Sequence, residues 1–440
     1  MLSRQGADAG PTRHSLFDDG MWVGLGQVGT LAARLVGLRM LTEVFATDVF
    51  GSASVMLALM ALVLATACNP LVQALMRAVP AVDVADTSRI RRVGLGMLWP
   101  CLAMQGLLLL GLLELSSELD LHHSTYALLG LLAFTWAETM RSFETGLLTA
   151  RRDQRRYAAW NFVDAWARPV GALGLAALLG PSVATMLWGY ALASVLVLFL
   201  FRGWRVGLES APAGAGDANA TSEGEGDRQQ RASLLRYAAT LVPLAPIAWL
   251  LAGADRVFLA SYAGAAATGV FVAACGLGSA PMIALSMALL TVFRPLLYRS
   301  ISAGDAAGER QLLLRWIGCY VLIAAIGLLL ITWLAPLAAT WFLGAQFRGA
   351  ADLVPWVAAA FALQGLQVVF ETRIMAWHCN YRLWILQLLG GACALALYVL
   401  LIPELGAFGA VLAMLISMGC ACALAVFLAS RPPALAVRAT

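Results

Sequence analysis

The residues of this chain best placed to do chemistry are ionisable groups set inside apolar stretches. They are Arg34 and Arg39; Glu138, Arg141 and Glu144; Asp164 and Arg168; Asp255 and Arg256; and Glu371 and Arg373. A charge at the centre of a bilayer costs at least ~2.5 kcal/mol on insertion scales, so each should face another charge or a wet cavity rather than lipid. Their spacing agrees. Gln27, Thr30 and Arg34 recur at i, i+3 and i+7, and so do Asn161, Asp164 and Arg168, and Gln364, Gln367 and Glu371. Glu138, Arg141, Ser142 and Thr145 share a further helical face. Polar stripes on otherwise apolar helices point to a lined internal cavity. Glu138–Arg141 and Asp164–Arg168 also sit at the i+3 and i+4 spacing of intrahelical salt bridges, and so have a purely structural reading beside the functional one. Arg34 and Arg256 have no carboxylate at i±3 or i±4, and Arg39 has only Glu43.

The elements that must position these residues are transmembrane helices. The 440 residues are 61% hydrophobic and 12% charged, with a mean hydropathy of +0.80. Apolar runs of roughly 20 residues recur along the chain, each long enough as a helix to cross the ~30 Å hydrocarbon core. Helices satisfy their own backbone hydrogen bonds in lipid, and the short alternating strands of a membrane β-barrel are missing. The expected fold is all-α and polytopic, with about 12 spans near 20–41, 52–72, 94–114, 125–148, 158–180, 183–202, 237–261, 268–292, 312–335, 352–377, 383–402 and 407–429. Arg clusters mark alternate loops: Arg77, Arg89, Arg91 and Arg92; Arg151, Arg152, Arg155 and Arg156; Arg202, Arg205, Arg228, Arg231 and Arg236; Arg294, Arg299, Arg310 and Arg315. The opposite loops hold Glu43, Asp48, Glu118, Asp120, Asp352 and Glu404, with Arg348 the exception. By the positive-inside rule both termini are expected in the cytoplasm.

The chain also repeats itself. Phe143-Glu144-Thr145 and Phe370-Glu371-Thr372 each precede a basic turn ending in Tyr157 or Tyr381, and VFATDVFGSASV with Gly51 parallels YAGAAATGVFVA with Gly269. The two offsets, 227 and 218 residues, nearly agree. Equal topology on both sides implies parallel repeats related by an axis along the membrane normal. The expected organisation is a tail at 1–19, a six-helix half at 20–203, a polar, flexible cytoplasmic linker at 204–233, a second half at 234–430 and a tail at 431–440. The linker lacks the apolar side chains that offset folding entropy.

Other motifs carry little. Gly24, Gly26 and Gly29 spell G-x-G-x-x-G without a preceding strand, so close helix packing explains them better than a dinucleotide site. Asn219-Ala220-Thr221 is a sequon on the expected cytoplasmic side, and His122-His123 has no ligand partners nearby. The eight Cys are scattered through apolar runs as small packing residues. Residues 1–20 lack a signal-peptide pattern. The sequence contains no Lys at all, hence no Walker-type ATPase site, and no cofactor or metal is expected.

Span 1 ends in a short loop and Phe50-Gly51, span 7 carries Asp255-Arg256 before Gly269-Val270-Phe271, and span 4 runs into TARRDQRRYAAW. On these features nearly the whole chain resembles the polysaccharide flippases of the multidrug/oligosaccharidyl-lipid/polysaccharide (MOP) exporter superfamily, similar to O-antigen and exopolysaccharide repeat-unit translocases. The resemblance implies two six-helix bundles around a central cavity, working by alternating access in a bacterial inner membrane. It implies an undecaprenyl-diphosphate-linked oligosaccharide as substrate, with a polysaccharide polymerase and chain-length machinery as partners. Arg suits a diphosphate, because its planar fork binds bidentately and stays protonated. Arg34, Arg39 and Arg256 are then the expected diphosphate contacts, with Gln27, Arg141, Arg168 and Gln367 as further cavity residues. Asp255, with Asp164, Glu138, Glu144 and Glu371, would balance charge or carry a coupling proton or sodium ion. The alternatives are a MATE-like cation-coupled multidrug exporter, which should have a more acidic cavity, and a membrane-embedded glycan polymerase or glycosyltransferase, which should have a substantial outer loop.

Overall fold

The computed structural model describes residues 13–79, 84–115, 124–151, 153–204 and 220–431. The first half consists of α1 (Arg13–Val44), α2 (Thr47–Ala67), α3 (Asn69–Ala78), α4 (Val84–Leu115), α5 (Thr125–Ala150), α6 (Gln154–Leu179) and α7 (Val183–Leu200). The second consists of α8 (Ala220–Leu241), α9 (Leu244–Ala252), α10 (Ala254–Ser302), α11 (Ala306–Phe342), α12 (Val354–Ala376) and α13 (Asn380–Ala429). Among the described residues, eight helices are long and apolar enough to cross a membrane.

Two of these elements are more than one span. α10 breaks at Gly264 (φ 83°, ψ 171°) and α13 at Gly406 (φ 56°, ψ −129°). Such positive φ values suit glycine, which has no Cβ to clash. The arms of α13 run antiparallel, since Arg382 near its start donates to the Leu428 carbonyl near its end at 2.8 Å. Proline breaks other spans. Pro70 starts α3 after the break at Cys68, and Pro243 precedes α9, because its ring removes a helical donor and clashes with the preceding turn. With α2–α3 taken as one crossing, and α8–α9 joined to the 254–263 arm, the described residues make twelve crossings, six in each half.

The halves meet in a contact that maps onto itself. A Cβ on Gly51 would lie 1.8 Å from the Ala265 carbonyl oxygen, and a Cβ on Gly269 would lie 2.0 Å from that of Thr47. Gly51 and Gly269 are 218 residues apart, and so are Thr47 and Ala265. The α6–α7 turn at Gly180 and the α13 turn at Gly406, both with positive φ, are a similar pair 226 residues apart. Around the glycine contact, Phe50 meets Phe347 edge-on at 5.6 Å, and Thr42 Oγ1 accepts the Gly344 N–H at 2.9 Å.

At the arginine-rich end the structure corrects the expected linker. Residues 220–233 are helical, forming the first part of α8. Leu234 and Ala238 pack with Leu71, Leu75 and Val93 of the first half. Asp227 pairs with Arg89 at 2.7 Å, and the Arg77 guanidinium lies 4.7 Å from the centre of the Tyr237 ring. Burial of Leu234 and Ala238 anchors the later part of α8, and the Asp227–Arg89 pair ties its polar first part to α4. Residues 1–12, 205–219 and 432–440, with the sequon asparagine Asn219, His122 and His123, lie outside the described residues.

Candidate functional site

A cavity of about 560 Å³ lies beneath the glycine contact, with Leu41 and Phe50 in its wall. Its walls come from α1, α2, α5, α6, α7 and α10, and its charged lining is Arg34, Arg141, Asp164, Arg168 and Arg256. The first half supplies most of the polar surface. From the second half come Arg256 and a narrow-side-chained face of Val272, Gly276, Ser279 and Ala280.

Two of the arginines are held in a network. Arg141 donates through Nε to Glu138 at 2.9 Å and through Nη1 to Asn161 at 3.0 Å. Arg168 pairs with Asp164 at 2.6 Å, bonds Glu138 as well, and lies over the Phe134 ring at 5.0 Å. Arg141 approaches Asp164 at 3.6 Å, and the Ser194 hydroxyl donates to Asp164 at 3.3 Å. Removing charges from water is tolerable only when partners and hydrogen bonds answer them, as they do here. The intrahelical salt bridges read from the i+3 and i+4 spacings therefore form, and three of their four members, Arg141, Asp164 and Arg168, still face the cavity.

Arg34 and Arg256 differ. Among the described residues neither guanidinium has an ion pair or hydrogen bond, and Arg256 Nε is buried without a partner. The break at Gly253 puts Arg256 in the first turn of α10. The beginning of a helix carries unpaired N–H groups and the positive end of its dipole, so it reinforces a guanidinium in attracting an anion. Asp255, 6% exposed, accepts the Arg256 N–H at 2.8 Å.

No family model and no curated protein matches the sequence. Solved structures do match. The lipid II flippase MurJ in an inward closed conformation superposes with a TM-score of 0.71 at 10% identity, covering 96% of this chain and 89% of that one. An inward-facing multidrug resistance MATE family transporter of the MOP superfamily gives 0.62 at 14% identity, covering 96% and 95%. A MATE in a bent conformation gives 0.57 at 13% identity, covering 98% and 97%. The chain has the fold of these transporters. It is a multi-pass membrane protein of two six-helix bundles, as its composition and repeat require.

Within that fold the expected site residues separate. Arg34, Arg141, Asp164, Arg168 and Arg256 line one cavity. Glu138 stands directly behind it, bonded to Arg141 and Arg168. Arg39 does not line it. Its guanidinium donates to the Leu343 carbonyl at the end of α11 and lies 2.9 Å from Glu43, tying the halves together. Arg39 matches position 257 at the 218-residue offset, one residue beyond Arg256, and one residue turns a helical side chain by about 100°. Glu144 instead pairs with Arg91 of α4 at 2.5 Å. Gln367 donates to Glu371 at 2.8 Å on α12, and neither lines this cavity. The side chain of Gln27 lies outside the described residues.

Tyr157 and Asn161 extend the Asp164–Arg168 stripe backwards along α6 and line the cavity with them, a signal present in the sequence as i, i+4, i+7 and i+11. Tyr190 also lines it. As a single tyrosine in the apolar α7 it had no periodic signal to mark it.

Proposed function

We propose that this chain is a flippase that moves an undecaprenyl-diphosphate-linked oligosaccharide from the cytoplasmic to the periplasmic leaflet of a bacterial inner membrane, for cell-surface polysaccharide biosynthesis. The observation that carries the reading is the pair of unanswered guanidiniums, Arg34 and Arg256, on facing elements of one cavity. Two guanidiniums from opposite halves suit two linked phosphates, each offering oxygens to a planar fork. The name of the structural relative MurJ, a lipid II flippase, supports a lipid-linked substrate, and the fold supports alternating access between two bundles.

With the arginine-rich loops in the cytoplasm, the glycine contact and the Phe50–Phe347 pair form a periplasmic seal. The diphosphate binds between Arg34 and Arg256, the sugars lie in the cavity, and the lipid tail stays in the bilayer between α1 and α10. Asp255 is the candidate for a coupling proton or sodium ion, since it is buried beside Arg256. A polymerase and chain-length machinery would act on the product. A cationic-drug exporter fits less well, because the unanswered charges of the cavity are positive.

The test is export in cells. Deleting the gene should trap lipid-linked oligosaccharide in the cytoplasmic leaflet, and wild-type protein should release it. Arg256→Ala and Arg34→Ala, at wild-type abundance, should each cut release at least about tenfold, the scale of one lost charge-assisted contact. Undiminished release by Arg256→Ala would sink the assignment.

A further inference from the structure

We infer that the glycan carried in this cavity is uncharged, so that the diphosphate supplies all of the substrate's formal charge. The inference rests on the flippase reading and narrows its substrate class. Four guanidiniums line the wall: Arg34, Arg141, Arg168 and Arg256. Arg141 and Arg168 are already answered by Glu138 and Asp164. The surplus is Arg34 and Arg256, and Asp255, buried beside Arg256, lowers it by one when ionised. The cavity therefore has room for at most two uncompensated negative charges. A diphosphate esterified at both ends carries one on each phosphorus and uses them all.

A sugar carboxylate would be a third. The polar wall that the sugars would meet presents Asp164, with Glu138 behind it, and its arginines are committed to those carboxylates. An unmatched charge in a confined, weakly polarisable site is expensive, and like charges there add to the cost. The same wall offers a neutral sugar good partners. Tyr157 and Tyr190 supply ring faces and hydroxyls, Asn161 an amide, and Ser54 and Ser279 hydroxyls. These groups donate and accept without carrying charge. Neutral hexoses, N-acetylhexosamines and deoxyhexoses fit, whereas hexuronic and sialic acids do not.

The test uses the full-length protein in lipid nanodiscs and three farnesyl-diphosphate-linked trisaccharides. One is neutral, one has a single hexuronic acid, and one is the methyl ester of that acid. The ester keeps the shape and removes the charge. The neutral probe and the ester should bind alike, and the acid at least about tenfold more weakly. An acid that binds as tightly as its ester overturns the neutral-glycan inference and leaves the flippase reading standing. If the neutral probe does not bind, or binds Arg34→Ala and Arg256→Ala as well as wild type, the flippase reading fails and the inference falls with it.

Discussion

Arg141 and Arg256 share one cavity wall but stand in opposite energetic positions. The first is held by two carboxylates and an asparagine, and the second has a buried Nε with no partner. Spacing within a helix revealed the first kind, because Glu138–Arg141 and Asp164–Arg168 lie within a turn of each other. It was blind to pairs formed between helices. Arg91–Glu144 spans 53 residues and Arg373–Glu309 spans 64, so spacing marks Glu144 as a charge-balancing or coupling carboxylate but does not reveal that Arg91 is its partner. These two pairs join α4 to α5 and α11 to α12, and their signs are reversed between the halves. In the first pair both side chains are largely buried, 12% and 5% exposed. Glu144→Gln should therefore destabilise the protein by ~3 kcal/mol, the cost of stranding a buried charge, measurable as a lowered Tm in detergent. Arg91→Glu should do at least as much, and adding Glu144→Arg should recover most of the loss. If the double swap is no more stable than either single variant, the pair is not what holds those helices.

Helices set the geometry that the residues exploit, and glycine sets how closely the helices approach. Gly51→Ala would push a methyl group to within 1.8 Å of the Ala265 carbonyl oxygen, a backbone atom that has little freedom to yield. On the proposed orientation, Gly51→Ala and Gly269→Ala should each open the proposed seal, and a thiol reagent applied from the periplasmic side should then label a cysteine placed at Ser54 faster than in wild type. Equal labelling rates would show that another contact holds the seal. The repeat containing these glycines was readable as sequence, because equal backbone geometry in the two halves demanded glycine at both places. The helical nature of 220–233 was not. Its composition is that of a tether, and its helix continues into Leu234 and Ala238, which pack on α3 and α4, with Asp227 paired to Arg89. Shortening the chain within 206–217 should leave export intact, whereas deleting 224–231 should remove Asp227 from Arg89, unseat α8 and impair export. Comparable export by both deletions would return α8 to the role of a passive tether.

At the scale of the whole molecule, the proposed transport would need the two bundles to part at one end while they close at the other. The residues that must let go are already visible: Arg39 from Leu343, Thr42 from Gly344, and Phe50 from Phe347. Weakening them singly, as in Thr42→Val, should favour the outward-open state, seen as a longer distance between spin labels placed on Asp48 and Asp352. The reciprocal glycine contact has a consequence of another kind. Thr47 and Gly51 offer Ala265 and Gly269 the same surface that they receive. That is the geometry of a twofold dimer interface, in which each partner is complementary to a copy of itself. The two bundles thus present one another with the kind of surface that subunits do. A gene cut within codons 205–219 and expressed as two polypeptides should yield fragments that find each other in the membrane and co-purify, with the half-chain that carries α8 bringing its own grip on α3 and α4.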